Sequence, residues 1–144
     1  MENNSNFSRD NLYLVCLDTQ SVVLFHAMDI RCLHVADVDA HHKNEIWKLR
    51  VKVVGCLLWA GFDVLVSDAD ALWLNDPVKD LESPKNNKSS IVASRGMFPL
   101  PLGHEWGSTM CMGFALFRAS GIGMRVWQEV MLRIVGVTAD DQFA

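Results

Sequence analysis

Apolar residues along this chain fall into short uninterrupted runs that alternate with longer stretches of helical spacing. Short runs predict β-strands, whereas apolar positions three and four residues apart predict amphipathic helices. The predicted strands are Leu12–Leu17, Ile30–Val35, Val64–Ser67, Ile91–Ala93 and Cys111–Phe117. The predicted helices are Thr19–Met28, the segment from Asn44 to a stop at Gly61, a short helix within Trp73–Leu81, and Gly123–Val135, with loops at Glu82–Ser90 and Gly96–Gly107. This alternation predicts an α/β domain with a mainly parallel sheet flanked by helices.

The third predicted strand ends at two aspartates, Asp68 and Asp70, which are separated by one residue. Val64, Leu65 and Val66 form a continuous apolar run, which is typical of a strand covered on both faces. Ligands of open α/β sheets bind at the carboxyl ends of the strands. We therefore expect both carboxylates to lie where a ligand binds.

The chemistry of two neighbouring carboxylates favours a metal site. Such groups repel each other unless a cation or hydrogen bonds offset their charge. Carboxylate oxygens suit Mg²⁺ or Mn²⁺, which keep open positions for water and substrate phosphates. Asp68 and Asp70 thus predict a site for a metal and a diphosphate. The competing interpretation of so short a pattern is a turn in which the aspartates cap the next element.

The segment Gly61–Pro77, which contains both aspartates, resembles the signature of the nucleotide-diphospho-sugar transferases with the GT-A fold. It is most similar to the group containing plant cell-wall xylosyltransferases and extensin arabinosyltransferases. Two later segments match weaker motifs in the same order: Met112–Arg118 resembles a glycine-phenylalanine strand, and Asp140–Gln142 resembles a carboxylate-glutamine motif. The resemblance extends over nearly the whole chain, and it implies a Rossmann-like GT-A domain that is incomplete at its C-terminus.

This resemblance implies a metal-dependent glycosyltransferase, which would move a sugar from a nucleotide diphosphate, in most cases UDP, to a glycan or glycoprotein acceptor. Asp68, Asp70 and Asp141 are the implied catalytic residues. Asp70 would bind Mn²⁺ or Mg²⁺ directly, and Asp68 would contact the ribose or reach the metal through water. Asp141 and Gln142 would hydrogen-bond sugar hydroxyls. The resemblance further implies retention at the anomeric carbon and a Golgi location.

Two other residues are candidates for donor binding. Asp18 ends the first predicted strand, which lies near the nucleotide in the family's arrangement, but it could equally cap the following helix. Arg50 lies on the helix before the signature strand, where family members often carry a basic residue. Its guanidinium could pair with Asp70 or with a donor phosphate. The competing interpretation of Arg50 is a solvated helix face.

Length and composition fit one globular domain. The chain has 144 residues, 50% of them hydrophobic, and a net charge of -4. It has no basic cluster, which argues against nucleic acid as the main partner. No run of about 18 apolar residues occurs, so the sequence predicts no membrane span, and residues 1–10 show no signal-peptide core. We expect a polar segment over residues 1–11 and a partial transferase domain over residues 12–144.

The four cysteines, Cys16, Cys32, Cys56 and Cys111, fit no metal-ligand spacing. Each lies among apolar residues, which favours buried free thiols. The alternative is a disulfide between Cys16 and Cys32, which adjacent strands would bring together in an oxidising compartment. Cys111 stands where family members commonly have asparagine, and a thiol lacks the paired donor and acceptor of an amide.

Two other functions compete with the transferase interpretation. Phosphatases of the haloacid-dehalogenase type also place Asp-x-Asp after an apolar strand. Their motif opens the domain, however, and it continues to threonine or valine where this chain has Leu72. The other competitor is a truncated transferase-like domain that binds nucleotide weakly or serves as a scaffold. Cys111 is consistent with this second alternative.

Overall fold

The structure is a computed structural model that describes residues 9–36, 38, 43–83, 86 and 88–136. It divides into two compact units, Met1–Ile46 and Trp47–Ala144. Both units combine helices with strands, so the predicted α/β class is confirmed. The predicted division of the chain after residue 11 stays a prediction.

The first unit contains a small parallel sheet. A 3-10 turn at Arg9–Asn11 precedes strand β1 (Leu14–Cys16), helix α1 (Thr19–Ala27) and strand β2 (Cys32–His34). The two strands pair in parallel, and the register sets Val15 opposite Leu33. The predicted strand–helix–strand start is therefore confirmed. Both strands are shorter than the apolar runs from which they were predicted.

Helix α2 (Lys43–Trp59) begins in the first unit and continues into the second. The second unit then contains β3 (Val64–Ser67), α3 (Val78–Leu81), β4 (Ile91–Gly96), α4 (Leu100–Trp106), β5 (Thr109–Phe117) and α5 (Gly121–Gly136). Of the helices that the structure describes, none has the length and apolarity that crossing a bilayer requires.

The sheet of the second unit corrects the sequence prediction. Its order is β3-β5-β4, and β5 runs antiparallel to both neighbours. The prediction of a mainly parallel sheet was wrong here, because a continuous apolar run reports that both faces of a strand are covered and not the direction of its neighbour. Among the described strands, only β1 and β2 are parallel.

The core of the second unit lies between α2, α5 and one face of this sheet. The buried cluster consists of Val51, Val54 and Leu58 from α2, Met112, Ala115 and Phe117 from β5, and Trp127 from α5. The Phe117 and Trp127 rings meet edge to face with centroids 4.6 Å apart. The Trp127 indole N–H donates to the main-chain oxygen of Val51 at 3.1 Å. This bond satisfies a buried polar group and holds α5 against α2.

The end of α2 delivers the chain to β3. Gly61 has a φ of 90°, a left-handed conformation that glycine adopts without strain. The Phe62 N–H donates to the oxygen of Leu57, and the Gly61 N–H donates to that of Leu58, both at 3.0 Å. This is a Schellman termination, as the predicted stop at Gly61 requires.

One predicted loop proved to be partly helical. The segment Gly96–Gly107 contains α4, although its glycine and proline content favoured a loop. Pro99 and Pro101 stand at the helix start, where proline has no helical hydrogen bond to lose. Gly107, at a φ of 78°, ends the helix. The interpretation of this segment as a loop was therefore wrong. Proline at the first positions of a helix and glycine directly after its end are compatible with a helix, whatever their number in the segment.

The cysteines also depart from the favoured interpretation. Cys16 and Cys32 form a disulfide across the β1–β2 pair, with Cα atoms 6.0 Å apart. The free-thiol interpretation was wrong for this pair, since parallel neighbours bring the two residues within disulfide range. Cys56 is a free thiol that is exposed rather than buried, and Cys111 is a half-buried free thiol.

Candidate functional site at the end of strand β3

The main chain of Asp68 is fixed by the central strand of the sheet. Its N–H donates to the main-chain oxygen of Gly113 on β5 at 2.8 Å. Its own oxygen accepts from the Ala71 N–H at 3.1 Å, which turns the chain directly after β3. The first aspartate of the pair therefore starts the turn, and Asp70 lies within it, exposed to solvent.

The carboxylate of Asp68 lies between α2 and β5. Its Oδ1 pairs with Nη1 of Arg50 at 3.1 Å. The Arg50 side chain is only 20% exposed, so the interpretation of Arg50 as part of a solvated helix face was wrong. Its predicted pairing with Asp70 stays a prediction. The ion pair offsets one of the two negative charges that the sequence places side by side.

The other oxygen of the Asp68 carboxylate faces Gly113. A Cβ atom built on Gly113 would lie 2.9 Å from Asp68 Oδ2 and 3.5 Å from the Cys111 sulfur. Asp68 and Cys111 therefore border the same small space above Gly113. The sequence analysis found the glycine-phenylalanine strand but missed this contact. No local spacing rule links two residues that lie this far apart in the sequence.

The turn that carries Asp70 is anchored by Trp73. Its indole N–H donates to the Ser67 hydroxyl at 3.0 Å, and that hydroxyl donates to the main-chain oxygen of Asp68 at 3.2 Å. The Trp73 ring also meets Phe114 of β5 edge to face, with centroids 6.0 Å apart. These contacts fold the segment after the aspartates back onto the sheet, so the two carboxylates are held on an anchored turn.

An open groove lies beside this turn. It is lined by the segment 71–77 together with Asp80, Ser94 and Phe114. Leu72 and Leu74, which belong to this lining, are 87% and 89% exposed. Asp76 accepts the Val78 N–H through Oδ1 at 3.0 Å, which starts α3. Its Oδ2 is buried and has no hydrogen-bond partner among the described residues.

Asp18, in the first unit, acts as a helix cap. Its Oδ1 accepts the Ser21 N–H at 2.7 Å, and its Oδ2 accepts the Ser21 hydroxyl at 2.6 Å. The hydroxyl bond, and then the main-chain bond, hold the pKa of Asp18 below its ordinary value. The capping alternative is thus confirmed, while a contact between Asp18 and a nucleotide stays a prediction.

The remaining predicted residues divide by what the structure describes. Arg50 and Asp68 are in contact, and Asp70 follows on the anchored turn. Asp141 and Gln142 lie outside the described residues. Within the described part of the chain, no group of three or more histidine, cysteine or acidic side chains converges as metal ligands.

The sequence analysis missed the role of a third aspartate near β3. Asp63, just before the strand, accepts the Ala119 N–H through Oδ1 at 2.8 Å and pairs through Oδ2 with Arg118 at 3.1 Å. A carboxylate between a helix-ending glycine and an apolar run was the available signal. A carboxylate in this position holds the start of the strand to another part of the chain, here Arg118 and Ala119, and does not indicate a ligand site.

Comparison with known proteins gives one finding. The family model described as nucleotide-diphospho-sugar transferase matches residues 8–143. No curated protein and no solved structure gives a significant match to the chain. The match covers nearly all of the sequence, including the strand-end aspartates and Gly113. The chain therefore belongs to the nucleotide-diphospho-sugar transferase family.

Proposed function

We propose that this chain is a metal-dependent glycosyltransferase domain that binds a UDP-sugar at the end of β3. Family membership implies glycosyltransferase activity and a nucleotide-sugar donor. The observation that supports the donor position is that the two aspartates have different surroundings. Asp68 is held by Arg50 and by the main chain of β5, whereas Asp70 is exposed on an anchored turn.

The donor set fits Mn²⁺ or Mg²⁺. These ions typically take one or two protein carboxylates and complete their coordination with water and substrate phosphates. Asp68 and Asp70, two acidic side chains at one strand end, form a site of this kind, and their hard oxygen ligands suit both ions. Asp70 would bind the ion directly, and Asp68 would do so through water or contact the ribose. When bound, the ion supplies positive charge that offsets the charge developing on a leaving diphosphate.

The chain's own residues account for the rest of the proposed mechanism. Arg50 brings a guanidinium to the same strand end, where its planar donors suit phosphate oxygens. Because Arg50 already pairs with Asp68, the two side chains orient each other before the donor arrives. Trp73 keeps the turn in place through Ser67, which limits the reorganisation that binding requires. Asp141 and Gln142 are proposed to hydrogen-bond sugar hydroxyls, with retention at the anomeric carbon.

We further propose a location in the secretory pathway, with the Golgi as the site of action and a glycan or glycoprotein as acceptor. The disulfide between Cys16 and Cys32 supports an oxidising compartment, because cytosolic thiols are generally kept reduced. The phosphatase alternative has no support in the family assignment.

Calorimetric titration with UDP, with and without Mn²⁺, tests the proposal. Wild-type protein should bind UDP more tightly with Mn²⁺, and Asp70→Ala should lower that affinity at least about 10-fold while leaving Tm unchanged, because Asp70 is exposed. Glu129→Ala, which removes an exposed carboxylate from α5, is the matched control. Equal binding by Asp70→Ala and wild type would contradict the assignment of the metal site.

A second candidate function, nucleotide binding without transfer, is favoured by one observation. Cys111 borders the same space as the Asp68 carboxylate, at the position where asparagine is the expected residue. Both candidate functions predict that UDP binds, so a turnover assay distinguishes them better than calorimetric titration does. If UDP binds but a panel of UDP-sugars is neither transferred nor hydrolysed, the binding domain is the better description. Turnover restored by Cys111→Asn would then identify the thiol as the cause.

A further inference from the structure

We propose that Gly113 is a positioning residue, whose missing side chain leaves the space in which the Asp68 carboxylate is held. The inference rests on the proposed function, since it explains how the first aspartate of the donor site is kept in place. Gly113 contacts no part of the donor in this proposal and acts only through Asp68.

The geometry leaves no room for a larger residue. A Cβ at position 113 would lie 2.9 Å from Asp68 Oδ2 and 3.6 Å from its Cγ. Even in a C–H···O contact, carbon and oxygen stay about 3.3 Å apart or more, so the carboxylate oxygen would have to move. Movement is restricted because the Asp68 main chain is bonded to Gly113 itself at 2.8 Å and Oδ1 is paired with Arg50.

Backbone conformation gives no other reason for glycine at this position. Among the described glycines, positive φ angles occur at Gly61 and Gly107, and Gly113 is not one of them. Alanine would therefore fit the main chain. Within a strand, glycine is moreover less favourable than a residue with a side chain. A glycine inside β5 thus weakens the strand, and the space required by Asp68 accounts for it.

The pairing of β5 explains why Gly113 meets Asp68. Ala93 of β4 lies opposite Ala115, but the next residue, Ser94, lies opposite Cys111. The residues of β5 between these two partners form an irregularity on the β4 side. On the other side, Phe114 pairs with Ser67, directly before Asp68. Continuing this antiparallel register by one residue sets Asp68 opposite Gly113, and the bond from the Asp68 N–H to the Gly113 oxygen follows it.

A thermal double-mutant cycle tests the contact. The proteins are wild type, Gly113→Ala, Asp68→Ala and the double variant. In the wild-type background, Gly113→Ala should lower Tm by a few degrees, because the new methyl group displaces the carboxylate. In the Asp68→Ala background it should leave Tm unchanged or raise it, because the carboxylate is gone and alanine is the better strand residue.

Gly96→Ala is the matched control. Its Cβ would meet the Cβ of Cys111 and the hydroxyl of Thr109, both at 3.3 Å, so it adds crowding on the same sheet without touching Asp68. It should shift Tm equally in both backgrounds. An equal shift for Gly113→Ala in both backgrounds would overturn the inference, since the cost would then be independent of the carboxylate.

Binding of UDP and Mn²⁺ gives the readout that a purely structural glycine would not move. At a temperature where every variant is folded, Gly113→Ala should weaken Mn²⁺-dependent UDP binding about 10-fold, as expected for a group that orients a metal-site carboxylate. Unchanged binding would overturn the positioning role. If the wild type does not bind UDP, the proposed function fails; the thermal cycle then still decides whether Gly113 provides the space for Asp68.

Discussion

The two ends of strand β3 carry aspartates that the fold uses in opposite ways. Their side chains are almost equally exposed, 48% for Asp63 and 49% for Asp68. At the start of the strand, both oxygens of Asp63 are engaged, one by a main-chain N–H and one by Arg118. At its end, one oxygen of Asp68 meets Arg50, and the other faces the bare Cα of Gly113. Exposure alone therefore does not separate a structural carboxylate from a candidate functional one.

The partners of each aspartate make the distinction. Arg118 also donates to the main-chain oxygens of Leu81 and Ser89, at 3.1 Å and 3.2 Å. Asp63 thus joins a network that ties together several chain segments. Arg50 and Gly113, in contrast, leave Asp68 at the edge of a turn that carries a second, exposed carboxylate. A group that is fully paired with the protein stabilises the fold, whereas one that is partly paired retains capacity for a ligand.

Exchanging the aspartates for alanine is the sharpest test of this comparison. Asp63→Ala should lower the free energy of unfolding by about 2 kcal/mol, because it removes the acceptor of the Ala119 N–H and the carboxylate that pairs with Arg118. Asp68→Ala should cost less than about 1 kcal/mol, as is usual for an exposed ion pair. Chemical denaturation measures both.

The same two variants should rank in the opposite order by their effect on UDP binding. Asp63→Ala should bind UDP and Mn²⁺ as the wild type does, and Asp68→Ala should bind more weakly. Equal stability losses together with equal binding would show that the two ends of β3 do not differ in role.

Arg50→Gln sharpens the functional side of the comparison. The variant should weaken UDP binding about 10-fold, because the guanidinium that orients Asp68 and attracts phosphate is lost. Stability should change by less than about 1 kcal/mol. Lys52→Gln, which removes a charge from an exposed position on the same helix, should leave affinity nearly unchanged. A similar loss in both variants would indicate general charge attraction instead of a specific pairing.

Trp73→Phe tests how firmly the turn after β3 is anchored. Phenylalanine keeps a ring near Phe114 but loses the N–H that donates to Ser67. We expect a stability loss of about 1 kcal/mol, the net value of one hydrogen bond. Trp59→Phe, at a position that is 73% exposed, should have little effect in the same denaturation experiment. The prediction fails if the two tryptophans prove equivalent.

Asp18 offers the mildest comparison, as a strand-end carboxylate whose described role is to cap a helix. Hydrogen bonds from Ser21 lower its pKa in the folded state, so the cap contributes its full stability above the ordinary pKa of 3.8. That contribution is lost as pH falls through the lowered folded-state pKa. The Tm difference between wild type and Asp18→Ala should therefore be constant near neutral pH and shrink in acid.

Asp18→Asn is the control for that pH dependence. Asparagine keeps a capping oxygen but does not titrate. Its Tm near neutral pH should stay close to that of the wild type, and its difference from Asp18→Ala should persist in acid. A difference between wild type and Asp18→Ala that does not shrink in acid would rule out the carboxylate's titration as its source.

The sequence predicted local structure well and long-range pairing poorly. The stop at Gly61 was predictable because a glycine after a helical pattern has a local geometric cause. The strand carrying Asp68 was predictable from its apolar run. The antiparallel neighbour of that strand was not, because β5 comes much later in the chain and pairing direction leaves no local signature.

The candidate site shows the same limit. The Asp68–Asp70 pair and Arg50 were identified from spacing and residue chemistry, but the ion pair between Arg50 and Asp68 was not. The role of Gly113 was also hidden, since a glycine inside a strand pattern has several explanations. The disulfide between Cys16 and Cys32 was left as an alternative, because cysteine spacing alone does not fix connectivity.

The position of β5 between β3 and β4 has a consequence for how the protein is made. The ribosome releases β3 and β4 before the strand that pairs with both has been synthesised. Until β5 emerges, each has an unpaired edge within the described sheet, and such edges invite wrong pairings between nascent chains. The surroundings of Asp68 are completed only when β5 inserts between β3 and β4. A newly made chain should therefore complete the proposed nucleotide site only after β5 has been synthesised.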